Sequence, residues 1–283
     1  MTALACVDGQ IMPIEEARVP VEDRGYQFGD AVYEFIATYN GQLFALPEHM
    51  ERLANSMAGL SFPAVDLQAV ARMVEDTFRQ SGIARAGIYI QISRGVAPRN
   101  HAFPHEAAPK VVVTVRPAPE IPQDLRESGI SIITFQDIRW GRCDIKTVQL
   151  LPNALAKQKA LDSGANDAVF VSVEGVVREG TSSNLFMVEQ GRLLTHPLTH
   201  QILPGITRNV ILAICRQEHL EVQETFFKQE RLMAADEVFL TGTVTEVLPV
   251  VRVDGQVIGN GQPGALTRRL YGLLRARAGA DVG

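Results

Sequence analysis

The sequence predicts a mixed α/β chain in two domains, residues 1–117 and 123–283. Three observations carry that prediction. Short apolar stretches with the two-residue repeat of strands recur along the chain, and helical stretches separate them. The connector Arg116-Pro117-Ala118-Pro119-Glu120-Ile121-Pro122 holds three prolines, which makes 118–122 a stiff linker. With 283 residues, 46% hydrophobic and 21% charged, the chain is long enough for one large or two medium domains.

The elements follow in order. Asp8-Gly9 turns a first hairpin, and Asn40-Gly41 turns a second between 31–39 and 42–45. Between them, Arg24-Gly25-Tyr26-Gln27-Phe28-Gly29-Asp30 reads as an irregular connection, given its two glycines. Pro47 opens a helix over 48–57, with Leu53 and Met57 at helical spacing. A second helix over 66–80 places Val70, Met73, Val74 and Phe78 on one face. Ile88–Ile92 and Val111–Val115 are strands, joined by the loop Arg94-Gly95-Val96-Ala97-Pro98-Arg99-Asn100-His101-Ala102-Phe103-Pro104, whose prolines suit a rigid binding loop. Beyond the linker come a strand over 129–135, a helix over 151–162 and a strand over 167–173. Then follow 176–178, a break at Glu179-Gly180-Thr181-Ser182-Ser183-Asn184, a strand over 185–188 and a turn at Gln190-Gly191. A helix over 206–215, a buried strand at 237–240 and a hairpin at Asp254-Gly255 complete the pattern.

Several function classes are poor fits. The net charge is −5, and the nearest thing to a basic cluster, Arg268, Arg269, Arg275 and Arg277, reads as the solvated face of the last helix, so no nucleic-acid partner is expected. No apolar run reaches the roughly 20 residues of a spanning helix. Met1-Thr2-Ala3-Leu4-Ala5 lacks the charged start of a signal peptide, and the expectation is a cytoplasmic protein without a membrane partner. Cys6, Cys143 and Cys215 and the six scattered histidines lack ligand spacing, so no metal is expected.

Lys146 is the candidate reactive group. Of Lys110, Lys146, Lys157, Lys159 and Lys228, it alone has an apolar setting, after Ile145 and before Val148, Leu150 and Leu151. A lysine attacks a carbonyl only as the neutral amine, which desolvation and the nearby Arg139 and Arg142 would favour. Gly205-Ile206-Thr207 offers an anion site at a helix N-terminus, and Thr241-Gly242-Thr243 offers a similar group at a strand end. Glu179 is an acid that local hydrogen bonds could fix. Tyr33 faces a site or packs across the hairpin. A pyridoxal phosphate enzyme needs such parts together: a lysine that condenses with the cofactor, a phosphate cup and a carboxylate for the pyridine nitrogen.

With these parts, the chain resembles the class IV (fold type IV) pyridoxal phosphate aminotransferases, and among them most closely the D-amino-acid transaminases. The resemblance spans nearly the whole chain. It is carried by Gly29-Asp30-Ala31-Val32-Tyr33-Glu34, Glu48-His49-Met50-Glu51-Arg52-Leu53, Arg94 to His101, Arg142-Cys143-Asp144-Ile145-Lys146 and Glu179-Gly180-Thr181-Ser182-Ser183-Asn184. It implies a smaller N-terminal α+β domain, a larger C-terminal α/β barrel-like domain and a homodimer. It also implies pyridoxal 5'-phosphate on Lys146, which moves the proton between Cα and C4′, with Glu179 on the pyridine nitrogen. Arg52, Ile206, Thr207 and Thr243 would hold the phosphate. Tyr33, Arg99 and His101 would hold the substrate carboxylate, with Arg99 and His101 supplied by the other subunit. The implied reaction passes the amino group of a D-amino acid, such as D-alanine or D-glutamate, to a 2-oxo acid. Thr241-Gly242-Thr243 is more similar to the branched-chain aminotransferases, so a branched-chain L-amino-acid or amine transaminase is the alternative. Aminodeoxychorismate lyase is a further one.

Overall fold

The computed structural model describes residues 2–106 and 108–279. Two compact units divide the chain. One runs from the N-terminus to Pro119 and includes Ile145–Gln149; the other comprises Glu120–Asp144 and the chain from Leu150 onward. Among the described residues no helix is long and apolar enough to cross a membrane.

The first unit is a sheet covered by two helices. Strands β1 (Leu4–Val7) and β2 (Gln10–Pro13) turn at Asp8-Gly9, whose φ values of 47° and 90° are those the Asp-Gly pair favours. A short helix α1 (Arg24–Phe28) leads to β3 (Ala31–Tyr39), β4 (Gln42–Leu43), α2 (Leu46–Gly59), α3 (Leu67–Ser81), β5 (Ala86–Ser93) and β6 (Lys110–Pro117). The order is β2-β1-β6-β5-β3-β4, antiparallel throughout. Alternation sorts the side chains. Val32, Ile36, Ile88, Ile90, Ile92, Val113 and Val115 point into one core with Leu53 and Met57 of α2 and Val70 and Val74 of α3. Tyr33, Phe35, Tyr89 and Gln91 alternate with them and lie on the opposite face.

The sequence reading differs from the structure at two places in this unit. Residues 24–28 form a turn of helix because the Asp23 carboxylate accepts the Gly25 amide at 2.8 Å and Gly29 closes the turn at φ 66°. Ile145–Gln149, placed by the sequence reading beyond the linker, runs along β3. The Tyr33 amide donates to the Lys146 carbonyl (3.0 Å) and the Val148 amide to that of Ala31 (3.2 Å). Ile145, 5% exposed, joins the first core and anchors the segment, a burial that contributes about 2 kcal/mol.

The second unit contains a closed barrel. In chain order come α4 (Gln123–Ser128), β7 (Ile130–Gln136), α5 (Leu151–Asp162), β8 (Asp167–Val171), β9 (Val177–Gly180), β10 (Asn184–Glu189), β11 (Arg192–Thr195) and α6 (Ile206–Gln217). Then follow β12 (Val222–Glu224), α7 (Gln229–Met233), β13 (Glu237–Gly242), β14 (Glu246–Val253), β15 (Gln256–Val257) and α8 (Ala265–Arg277). Strands β10-β13-β14-β7-β8-β9 form a path that the pairing of Asn184 with Glu179 closes. The pairs β14–β7 and β7–β8 are parallel. Ile130, Ile132, Val169 and Val171 share one core with Leu185, Met187, Val238, Leu240 and Val250. Ile133, Phe135, Ala168 and Phe170 face the other way, onto Ala156 and Ala160 of α5. Helix α8 packs on β14.

Candidate active site

Lys146 sits in the first unit. Its amide donates to Ser56 Oγ of α2 (3.1 Å), its carbonyl accepts from Tyr33, and its Nζ lies 4.2 Å from the centre of the Tyr33 ring. Tyr33 also packs against Tyr89, with ring centres 5.4 Å apart, the cross-strand packing that is one of its two sequence readings. The backbone of the lysine is therefore fixed from two sides while its amine lies over an aromatic face.

On the other face of β3, Glu34 occupies a core position with no exposure. A buried carboxylate requires partners, and α2 supplies them. Arg52 Nε and Nη2 donate to its two oxygens at 2.7 Å each, and His49 Nδ1 lies 2.7 Å from Oε2. His49 and Arg52, three residues apart on the helix, share the face that meets the strand. Burial pushes the Glu34 carboxyl up, but the Arg52 and His49 bonds outweigh it and hold the group at about 2. Burial pushes His49 below the ordinary histidine value; Glu34 opposes this, while Arg52 and Lys146 add to it. The neutral ring then donates Nδ1–H to Glu34, and Arg52 carries the positive charge.

Glu34 thus couples stability to pH. Its folded value lies below the unfolded reference of 4.5, so its contribution is complete above that pH and is lost as pH falls toward 2. A shift of this size corresponds to about 3 kcal/mol. Glu34→Gln is expected to be less stable than the unmodified protein at neutral pH, with the gap narrowing steadily as pH drops below 4.5. Urea denaturation across that range measures it, and a gap independent of pH would remove the linkage.

In the second unit, Glu179 ends β9 at the barrel's closing pair, 5% exposed. Arg139 Nη1 donates to its Oε1 at 2.5 Å. Asn184 Nδ2 (2.9 Å) and the Leu203 amide (3.0 Å) donate to its Oε2. Burial pushes the Glu179 carboxyl up, Arg139 and the Leu203 amide draw it back toward the ionised form, and Asp137 raises it further. Arg139 is itself held by Asp137, through Nε (3.0 Å) and Nη2 (2.8 Å), and lies 4.1 Å over the Phe170 ring. Arg142 pairs with Asp144. These two arginines, expected from sequence to act as cations on Lys146, are instead each engaged by carboxylates.

The same barrel end carries the other predicted groups of this unit. Asn184 also donates to the Leu203 carbonyl (2.9 Å), and a Cβ on Gly205 would overlap Asn184 Oδ1, so only glycine fits where α6 begins. Gly205, the N-cap, has no side chain to cap the Ile206 and Thr207 end of α6. Thr243, half-buried, follows β13 in the turn to β14. Among the described residues, Ser183 Oγ and Thr241 Oγ1 are buried with no hydrogen-bond partner. The sequence reading assigned no role to Glu34, His49, Ser56, Asn184, Ser183 or Leu203. His49 and Arg52 carry a visible helical spacing, but nothing in the sequence marks Glu34 as their partner.

Arg99 and His101 lie in the loop between β5 and β6 of the first unit. The Arg99 guanidinium stands 4.6 Å over the Phe28 ring, whose centre is 5.6 Å from that of His101. The structure therefore brings these two side chains to one aromatic ring. Among the described residues no cluster of three metal-ligating side chains occurs.

Known proteins resemble this chain in sequence and fold. Residues 31–253 match the family model of amino-transferase class IV. The chain is 42% identical over 273 residues to a D-alanine aminotransferase of Bacillus licheniformis, covering 95% of this chain and 94% of that protein. It is 41% identical over 265 residues to the D-alanine aminotransferase of Staphylococcus haemolyticus, covering 93% and 94%. Among solved structures, the Escherichia coli branched-chain amino acid aminotransferase superposes with a TM-score of 0.90 at 28% identity, covering 99% of this chain and 94% of that one. The holo-form of the branched-chain amino acid aminotransferase from Thermobaculum terrenum gives 0.85 at 27%, covering 98% and 94%. The chain belongs to the class IV aminotransferases. Its architecture, an α+β unit followed by a larger α/β barrel unit, is that of fold type IV.

Proposed function

We propose that this aminotransferase passes the amino group of a D-amino acid, with D-alanine and D-glutamate as first candidates, to a 2-oxo acid, using pyridoxal 5'-phosphate. The observation that carries the reading is Lys146, fixed through its own backbone against Ser56 and Tyr33 with its amine over the Tyr33 ring. The D-amino acid rests on the likeness to D-alanine aminotransferases along nearly the whole chain.

The residues fit the cofactor. The helix end at Ile206 and Thr207, where the N-cap has no side chain, suits a phosphate, and the partnerless hydroxyls of Ser183 and Thr241 are donors awaiting an acceptor at the same barrel end. Glu179, held from both sides, is a carboxylate able to keep a proton on the pyridine nitrogen. When bound, the cofactor supplies the electron sink for the pair released from the substrate's Cα–H bond. Lys146 would hold it through Nζ and would take up and return the proton at the substrate's Cα. Arg52, oriented by Glu34, would hold the phosphate together with Ile206, Thr207 and Thr243. Tyr33, Arg99 and His101 hold the substrate carboxylate. We place Arg99 and His101 in the partner's site within a homodimer, and the protein in the cytoplasm.

The branched-chain L-amino-acid reading is the second one, favoured by Thr241-Gly242-Thr243 and by the solved structures of branched-chain enzymes. Substrate preference separates them. D-alanine and D-glutamate are expected to outperform L-leucine and an aromatic amine, with pyruvate or 2-oxoglutarate as acceptor. Loss of the charge-assisted bonds in Arg99→Ala should lower kcat/KM for D-alanine on the order of tenfold to a hundredfold. A preference for L-leucine in the unmodified enzyme would replace the D-specific reading with the branched-chain one.

A further inference from the structure

We propose that Arg24 and Asp30 are positioning residues for the substrate carboxylate: with Arg94 they clamp the loop of Arg99 and His101 to the foot of β3, the strand that carries Tyr33. The proposal rests on the reading of Arg99, His101 and Tyr33 as the carboxylate site.

Arg24 opens α1, where Asp23 caps the turn, and is 3% exposed. Its Nε donates to Asp30 Oδ2 at 2.8 Å. Its Nη1 donates to the carbonyls of Asn100 (2.6 Å) and Ala102 (3.3 Å), which flank His101 on either side. One guanidinium therefore holds the peptide group that precedes the histidine and the one a residue beyond it, and so restricts the direction of its side chain. Arg24 also stands 4.7 Å over the Phe28 ring, the same ring that Arg99 covers and His101 adjoins.

Arg94, also 3% exposed, completes the clamp from the start of the loop. Its Nε donates to both oxygens of Asp30 (3.1 and 2.9 Å), and its other nitrogens donate to the carbonyls of Ser61 (3.0 Å) and Leu60 (2.8 Å). Its guanidinium lies 3.6 Å from the centre of the Phe103 ring, so the far end of the loop is held by the same group. The Arg94 amide donates to the Asp30 carbonyl (3.1 Å), directly before β3 begins.

Two buried guanidinium groups around one carboxylate leave a surplus cation, which four carbonyl oxygens and the aromatic faces compensate. Apolar side chains would serve stability as well or better in such a place. What the arginines add is position: the backbone bearing Arg99 and His101 is tied to Asp30 and α1, so the two side chains keep one spacing and one direction in the site they enter. Two donors for one carboxylate must keep their mutual geometry to act together, and a shift of about 1 Å at a binding group can cost a hundredfold in rate.

The test uses the holoenzyme with D-alanine and 2-oxoglutarate, and compares Arg24→Gln, Arg24→Lys and Asp30→Asn with Arg99→Ala. In Arg24→Gln, KM for D-alanine is expected to rise on the order of tenfold or more, with kcat changing much less and with cofactor content and absorbance preserved. Arg24→Lys keeps the charge beside Asp30 but cannot span both carbonyls; it should show the same split more weakly, and it serves alone if the glutamine variant does not fold. Asp30→Asn should shift KM in the same direction. An unchanged KM in Arg24→Gln, or in Arg24→Lys where only that variant folds, overturns the clamp. So does a loss confined to kcat or to cofactor content. If Arg99→Ala leaves KM unchanged, the carboxylate assignment itself fails; if Arg99→Ala raises KM and the Arg24 variants do not, only the clamp fails.

Discussion

Lys146→Ala is expected to lose transamination by more than about a thousandfold, because one amine both attaches the cofactor and moves the proton at Cα. Cofactor binding should survive in weakened form through Arg52 and the α6 end, so the variant separates holding from chemistry. The unmodified protein should be yellow, and borohydride should fix the cofactor on Lys146. A label recovered on Lys157 or Lys159 would overturn the assignment; Lys157 is already committed to the Asn166 carbonyl at 2.5 Å. The same variant tests the dimer. If Arg99 is lent to the partner, mixing inactive Lys146→Ala with impaired Arg99→Ala chains restores activity in hybrids, since one of the two sites then has both residues. Well-formed hybrids without recovered activity would return the loop to its own subunit's site.

Much of this was legible in the sequence because it is local. Pro47 at the head of α2, the Asp8-Gly9 and Asn40-Gly41 turns and the helix entered at Gly205 are signals written within a few residues. The strand over 88–92 showed itself through alternation and β13 as a buried apolar run, while the short β12 carries neither signal. What was hidden is what the chain brings together from a distance. The Glu34 carboxylate meets Arg52 and His49 only once β3 lies on α2, and Arg139 meets Glu179 only once the barrel strands align. For that reason Arg139 was read by its neighbour in sequence rather than by its partner in space. The helical turn of α1 is not legible from its two glycines, which suggest an irregular connection; the Asp23 cap forms it. Ile145–Gln149 was assigned to the wrong body by simple continuity, since no turn residue announces that the chain returns to β3.

Glu179→Gln is expected to lower turnover on the order of a hundredfold while changing cofactor affinity far less. The carboxylate takes Arg139 on Oε1 and both Asn184 and the Leu203 amide on Oε2, so each oxygen already faces a donor. A glutamine offers one acceptor and one amide nitrogen, and whichever way it turns, the nitrogen confronts a donor. Leaving such a buried donor unpaired costs about 1–3 kcal/mol, so a modest drop in melting temperature should accompany the kinetic loss. The kinetic loss has a separate origin. A neutral side chain cannot hold a proton on the pyridine nitrogen, and an unprotonated ring accepts the Cα electron pair poorly. Phosphate contacts do not depend on that proton, which is why affinity should change less than kcat. Glu179→Asp, which keeps the charge on a shorter arm, should retain more turnover than the glutamine variant even if it is no more stable. Near-normal turnover in Glu179→Gln would take Glu179 away from the cofactor and leave its bonds with Arg139, Asn184 and Leu203 as a fastening of the barrel's closing pair.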